Sequence, residues 1–221
     1  MQKNSQAFKR EHFPSHLVGA LTYIMWNVPA AGDYLISAWV SDKPFHEFPL
    51  KAGQEDLNSF AHIDVATPKF TRNVAPEIQI GAKGTVIFYC SGGFREFRIT
   101  VTQKSDRGEK EIFNSEHLSR GDHFVMVPIV SGKYDFTVDS KKQPGTITVR
   151  SSSEKKTPAS QLEPKQATAT DGGLSPDKIE LRPGQPLVLE IQTSKKFEIT
   201  LLRDKPTPKR IRTIPTPNSP A

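Results

Sequence analysis

The chain has 221 residues, a formal charge of +6 and 35% hydrophobic residues, enough for one large domain or two small ones. Its single cysteine, Cys90, excludes an intrachain disulfide and with it a disulfide-stapled secreted scaffold. Eighteen prolines, fourteen glycines and frequent Phe, Val, Ile and Thr favour turns and strands, and few segments carry a helical apolar stripe. The positive charge suits a solubilising surface, or docking to an acidic partner, an anionic membrane or nucleic acid.

Residues 1–16 read as an N-terminal arm. His12 and His16 stand at the i, i+4 spacing of a helical metal pair, but Pro14 between them argues against a regular helix. Next comes "LVGALTYIMWNVPAAGDYLISAWV", residues 17–40, with Asp33 as its one charge. One reading is a membrane segment or leader, with Lys3, Lys9 and Arg10 holding the N-terminus in the cytoplasm. The other is two strands, 21–28 and 34–40, around a Pro-Ala-Ala-Gly turn. Pro29, Gly32 and Asp33 favour the strands, because they break a helix and place a charge at bilayer depth. Trp26 and Trp39 are core residues in the strand reading and interface anchors in the membrane reading. Residues 17–68 are therefore expected to form an apolar segment and partial sandwich, ending in a connection that holds "HIDVATP".

The chain repeats itself. "NVPAAGDYLISAWVSDKP" from Asn27 matches "MVPIVSGKYDFTVDSKKQP" from Met126: Val-Pro, small or apolar residues, Gly-x-Tyr, then a strand and a loop. "VAPEIQIGAKGTVIFYCSGGFREFRITV" from Val74 matches "LSPDKIELRPGQPLVLEIQTSKKFEITL" from Leu174 in the same way. The order is a back half (about 20–50), a front and a back half (about 72–150), and a front half (about 173–204). Only 69–150 looks complete. The two outer halves are expected to complete each other or to dock on it, since alone they would expose apolar faces and strand edges. Residues 151–172 hold almost nothing apolar and read as a linker, leaving 173–204 as a partial sandwich.

The tail 205–221, "KPTPKRIRTIPTPNSPA", is Pro-rich, basic and expected to be extended. Lys205, Lys209, Arg210 and Arg212 make it the densest basic cluster, a candidate for docking on an acidic surface or anionic lipid. It has no aromatic residue for base stacking, which argues against nucleic acid.

Residues 72–150 resemble a cupredoxin-like domain. "APEIQIGAKGTVIFY" is similar to the opening strands of that family, and "SGKYDFTVDSKKQPGTITV" to its closing strand, ligand loop and last strand. The resemblance implies an all-β, Greek-key sandwich; immunoglobulin-like sandwiches use the same turn chemistry. It also implies where copper ligands would fall: a His near Gly93–Phe97, a Cys near Val138, and a His and Met within Lys141–Gly145. None of those residue types is there, so neither copper nor another cofactor is expected.

Other chemistry is thin. Cys90 at a strand end reads as a half-buried apolar residue. His117 and His123 flank "LSRGD" without a third ligand, and the Arg-Gly-Asp at 120–122 reads as a β-turn. His46 and His62 have no partner by spacing. There is no nucleophile elbow, phosphate loop or dinucleotide fingerprint. The function expected is that of a non-catalytic accessory subunit. It would dock within a membrane-associated, periplasmic or extracytoplasmic complex, an electron-transfer assembly being the first choice of host; a cytoplasmic setting is the alternative. Docking would use sandwich surfaces, the tail cations, and Trp26 and Trp39. A glycan-binding module with an aromatic platform of Trp26, Trp39 or Phe45 is the first alternative, and a metal-binding redox protein the second.

Overall fold

The computed structural model describes residues 10–53, 60–66, 77–92, 95–106, 108–150 and 162–202. Their regular structure is seventeen strands and the single 3-10 turn Ser115–His117, so the chain is all-β. Residues 17–40, open to a membrane reading, form β2 (Thr22–Asn27) and β3 (Gly32–Val40), and no helix among the described residues is long and apolar enough to cross a bilayer.

The first unit continues with β4 (Lys43–Gly53), β5 (Phe60–Asp64), β6 (Ile78–Gly81), β7 (Thr85–Tyr89) and β8 (Arg98–Ser105). The second runs through β10 (His123–Met126), β11 (Gly132–Val138), β12 (Lys141–Val149), β13 (Lys165–Thr170), β15 (Lys178–Leu181), β16 (Leu187–Ile191) and β17 (Phe197–Leu201). Five ladders of the first recur in the second. The antiparallel pairs β2–β7, β3–β4 and β3–β8 correspond to β10–β16, β11–β12 and β11–β17. The parallel pairs β4–β6 and β5–β7 correspond to β12–β15 and β13–β16. Three strands stand outside the repeat: β1 (His12–Pro14) on β17, β9 (Gly108–Asn114) on β8, and β14 (Gly173–Ser175) on β13.

The repeat seen in the sequence is thus present with a different phase. The back half near 20–50 is completed by the front half that follows it, and the back half beginning at Met126 by the front half beginning at Leu174. No ladder joins β6–β8 to β11 or β12, so 69–150 is not the pairing unit, and the linker expected at 151–172 gives way at Lys165–Thr170 to β13, whose Ala167 and Ala169 are buried in the seven-stranded sheet. The Greek-key expectation also needs correction. In each unit the chain passes twice from one sheet to the other in the same sense, β4 to β5 and then β6 to β7, and the two passes stack in parallel. That is a solenoid-like coil closed by antiparallel strands. The ligand loop that the resemblance implies before the last strand is a two-residue hairpin, with Asp139 and Ser140 both at positive φ. Lys141–Gly145 then belong to β12, where a register irregularity accommodates Pro144. Val138, where the resemblance places a thiolate, is buried in the core.

An antiparallel ladder between β2 and β10 fuses the two three-stranded sheets, with β14, into one seven-stranded sheet. One face of it packs against both five-stranded sheets. Trp26 on β2 meets Tyr34 on β3 and Phe113 on β9; Phe124 on β10 meets Phe197 on β17. Burial follows the period-2 alternation of each strand, as in Ile24 and Trp26, Val86 and Phe88, Leu187, Leu189 and Ile191.

The Gly-x-Tyr repeat has one physical cause in both units. Tyr34 donates its hydroxyl to the Ala30 carbonyl and Tyr134 to the Val130 carbonyl, each at 2.7 Å and each four residues back. Gly32 and Gly132 start the strands at φ +154° and +151°. A methyl at Gly132 would stand 2.5 Å from Leu201 Cδ1. Burial pushes the Tyr134 phenol up to about 12 and raises that of Tyr34. Because the folded value of Tyr134 lies above the unfolded one near 10, its contribution is intact below about pH 10 and lost as pH rises through about 12. Tyr134→Phe is expected to cost about 1–2 kcal/mol at pH 7 by orphaning the Val130 carbonyl. It should also flatten the alkaline fall in stability, which urea titrations at pH 7 and 11 would read.

Candidate functional site

The outer face of the seven-stranded sheet is where the sequence and the packing disagree with simple alternation. A sheet with one solvated face alternates apolar with polar residues, whereas strands covered on both faces are apolar throughout. The segments "TYIMW" and "VIFY" of β2 and β7 are apolar at nearly every position. Their inward residues fill the core. Their outward residues, Tyr23, Met25, Ile87 and Tyr89, are half-buried.

Register sets these side chains in rows. Tyr89 lies beside Tyr23, Tyr23 beside Val125, and Val125 beside Val188. One row along, Ile87 lies beside Met25, Met25 beside His123, and His123 beside Glu190. On the edge strand β5, His62 flanks Ile87 and Asp64 flanks Tyr89. Tyr23, Met25, Ile87, Tyr89 and Val125 line a cleft of about 470 Å³, with His62 at one rim and Val127 and Pro186 closing one end. No lysine or arginine lines it. A smaller hollow of about 250 Å³ lies on the other side of β10, among His123, Gln166, Thr168 and Glu190. Phe60, at the start of β5, is 58% exposed. The face therefore has an apolar, tyrosine-bearing centre and a polar margin, the composition of a protein interface. The cleft straddles the β2–β10 junction, so both units build it.

The residues singled out in the sequence fall elsewhere. Trp26 is 4% exposed and belongs to the core, not to a docking surface. Trp39 is half-buried on β3; its indole N–H donates to Thr100 Oγ1 at 2.9 Å and the Arg98 guanidinium stands 5.0 Å over its ring. Phe45 is 38% exposed, with Arg95 stacked at 4.7 Å and Phe97 beneath it. The three aromatic candidates for a glycan platform are thus one core residue and two rings already covered in part by arginines. Lys205, Lys209, Arg210 and Arg212 lie outside the described residues.

Cys90 is half-buried, its Sγ 3.1 Å from the Gly92 carbonyl, and burial pushes its thiol up. His12 is on strand β1 and pairs with Glu198 at 3.3 Å; His16 lies past the strand end, and burial lowers its pKa. Strand geometry removes the shared helical face that would have let the two imidazoles bind one metal. Among the described residues no group of three or more His, Cys, Asp or Glu is placed to hold a metal ion. Arg-Gly-Asp at 120–122 is part of a β-turn, closed by Asp122 N–H to the Ser119 carbonyl at 3.0 Å. The Asp122 carboxylate accepts from Ser119 N–H at 2.8 Å and is buried.

No protein-family model, curated protein or solved structure matches this chain. The two segments that carry the cupredoxin resemblance lie in different pairing units, β6–β7 and β11–β12.

Sequence reasoning passed over the outer face because it sought charge clusters, aromatics and ligand spacing. The signal was available: of the six consecutive residues of β2 only the last is strongly polar, so both faces of the strand carry apolar side chains.

Proposed function

We propose that this chain is a non-catalytic docking subunit that binds a protein partner through the outer face of its seven-stranded sheet. The observation that carries the reading is the apolar outward set Tyr23, Met25, Ile87 and Tyr89 at the junction of the units. Tyrosine and methionine are the residues that interface centres favour, and their place in the middle of a seven-stranded sheet gives a partner a broad surface around the cleft. The polar margin of His62, His123, Gln166 and Glu190 supplies the hydrogen-bonding rim. The partner is a protein subunit of a larger assembly, which agrees with the accessory role expected from the sequence.

The test is the size of the native assembly in a mild-detergent extract of cells carrying either the natural chain or Met25→Glu. The natural chain should run far above monomer size. Met25→Glu places a charge at the centre of the face without touching the core, and is expected to weaken assembly at least 100-fold, a loss of about 3 kcal/mol or more typical of a central contact. If the Met25→Glu chain, folded by circular dichroism, co-migrates with the same partners, the face is not the docking surface.

A further inference from the structure

We propose that the protein docked on this face seats an arginine in the polar hollow beside β10, its guanidinium against the Glu190 carboxylate, while an apolar group of the same partner covers the tyrosine-lined cleft. This rests on reading the face as a docking surface, and it names the chemistry the partner brings to it.

Register puts hollow and cleft on one line. Across the sheet, Thr168, Glu190, His123, Met25, Ile87 and His62 are successive cross-strand neighbours. The first three line the hollow of about 250 Å³ and the last three line the cleft of about 470 Å³. Adjacent strands lie about 4.8 Å apart, so Glu190 on β16 and Met25 on β2, two strands away, are separated by roughly 10 Å. A single folded partner covers both.

The hollow is a set of acceptors around one charge. Glu190 is its one carboxylate, and no lysine or arginine lines it. Glu190 Oε1 accepts from Gln192 Nε2 at 3.4 Å, a long bond, out of roughly four acceptor positions that a carboxylate offers. Other carboxylates of this basic chain have found cations: Glu116 pairs with Lys196, Asp135 with Lys142 and Glu180 with Arg150. No cation among the described residues pairs with Glu190. In the free chain its side chain is exposed and solvated. Beneath a partner it becomes a buried charge, and a buried charge needs an opposite one.

Arginine answers that need better than lysine. Its planar fork gives two parallel bonds to a carboxylate and keeps further donors for the oxygens of Gln166, Thr168 and Ser175 on the same lining. Ala167 and Val188 are apolar ground for its methylene stem. The ammonium of lysine is a strongly hydrated point charge, and interfaces are enriched in arginine and depleted in lysine.

The free chain gives the first test, with N-acetyl-arginine amide as the probe at constant pH and ionic strength. The His123 ring resonances should shift saturably, with a Kd of roughly 1–10 mM for one charge-assisted contact. N-acetyl-lysine amide should bind several-fold more weakly, and Glu190→Gln should lose the shift. The absence of a saturable shift, an equal shift in Glu190→Gln, or equal binding of the two probes overturns the proposal. The native assembly gives the second test. Glu190→Lys, folded by circular dichroism, should hold its partner about 100-fold less tightly, because like charges then face each other. Glu47→Lys makes the same charge change at an exposed position of β4, on another sheet, and should leave the assembly intact. Partners kept by Glu190→Lys but lost by Met25→Glu overturn this inference alone. Partners kept by Met25→Glu overturn the docking reading itself, whatever the probe reports.

Discussion

Asp122→Asn is expected to stabilise this protein at pH 7 by about 2 kcal/mol and to leave its stability at pH 4 nearly unchanged. Asp122 is 7% exposed in the turn that leads into β10. Its backbone ties that turn to the second unit, where the Ile191 N–H donates to the Asp122 carbonyl at 3.0 Å. Burial pushes its carboxyl up to about 6 from 3.8, against the opposing hydrogen bond from Ser119. The folded state thus holds a proton that the unfolded chain releases. Stability is full below about pH 3.8 and declines as pH rises through about 6, with an upper bound near 3 kcal/mol from the size of the shift. Asparagine keeps an oxygen to accept the Ser119 N–H and carries no charge to desolvate. Urea titrations of both chains at pH 4 and pH 7 would measure the difference. A variant less stable than the natural chain at pH 7 would mean that the charge-assisted bond to Ser119 outweighs desolvation.

What could be read beforehand divides along a physical line. Strand existence was legible, because alternation at Ile24 and Trp26 or Leu187, Leu189 and Ile191 is local. The repeat was legible too, because Gly-x-Tyr encodes a positive-φ entry and a hydroxyl bond four residues back, and both units need it. The phase was not. A Gly-x-Tyr strand names its own turn but not its neighbour. Nothing local in "VAPEIQIGAKGTVIFY" says that its strands pair back to β2 and β4 rather than forward to β11 and β12. "KKQPG" misled for a similar reason: Pro144 and Gly145 look like loop residues, and the ladder absorbs them where its register shifts. The outer face was legible in principle from the doubly apolar β2, but only sheet order shows that β2 meets β10 and that the face crosses both units.

That shared sheet carries the last expectation: the two units unfold as one. Phe197 is 1% exposed on β17 and packs its ring against Phe124 at 5.5 Å and Phe136 at 5.4 Å, all in the second unit. Phe197→Ala removes a large core side chain and should cost about 3–5 kcal/mol. For a chain of this size that lowers the melting temperature by roughly 10 °C. Both tryptophans, Trp26 and Trp39, are in the first unit, so their fluorescence reports a region the substitution does not touch. Two connections transmit the loss. The β2–β10 ladder pairs Ile24 with Phe124 and Met25 with His123. The stretch 15–18 ahead of β2 bonds both units, through Ser15 N–H to the Phe197 carbonyl at 2.9 Å and through the mutual backbone bonds of Val18 and Phe97 at 2.8 Å. With these in place, the tryptophan signal of Phe197→Ala should melt at the lowered temperature, together with the far-ultraviolet signal. A tryptophan transition left where it is in the natural chain would show two independently folding units, and the cleft would then be a seam between them rather than the middle of one rigid face. Cooperative melting, in contrast, is what lets a partner bound at the junction stabilise the whole chain at once, since binding energy gained there counts against unfolding of both units.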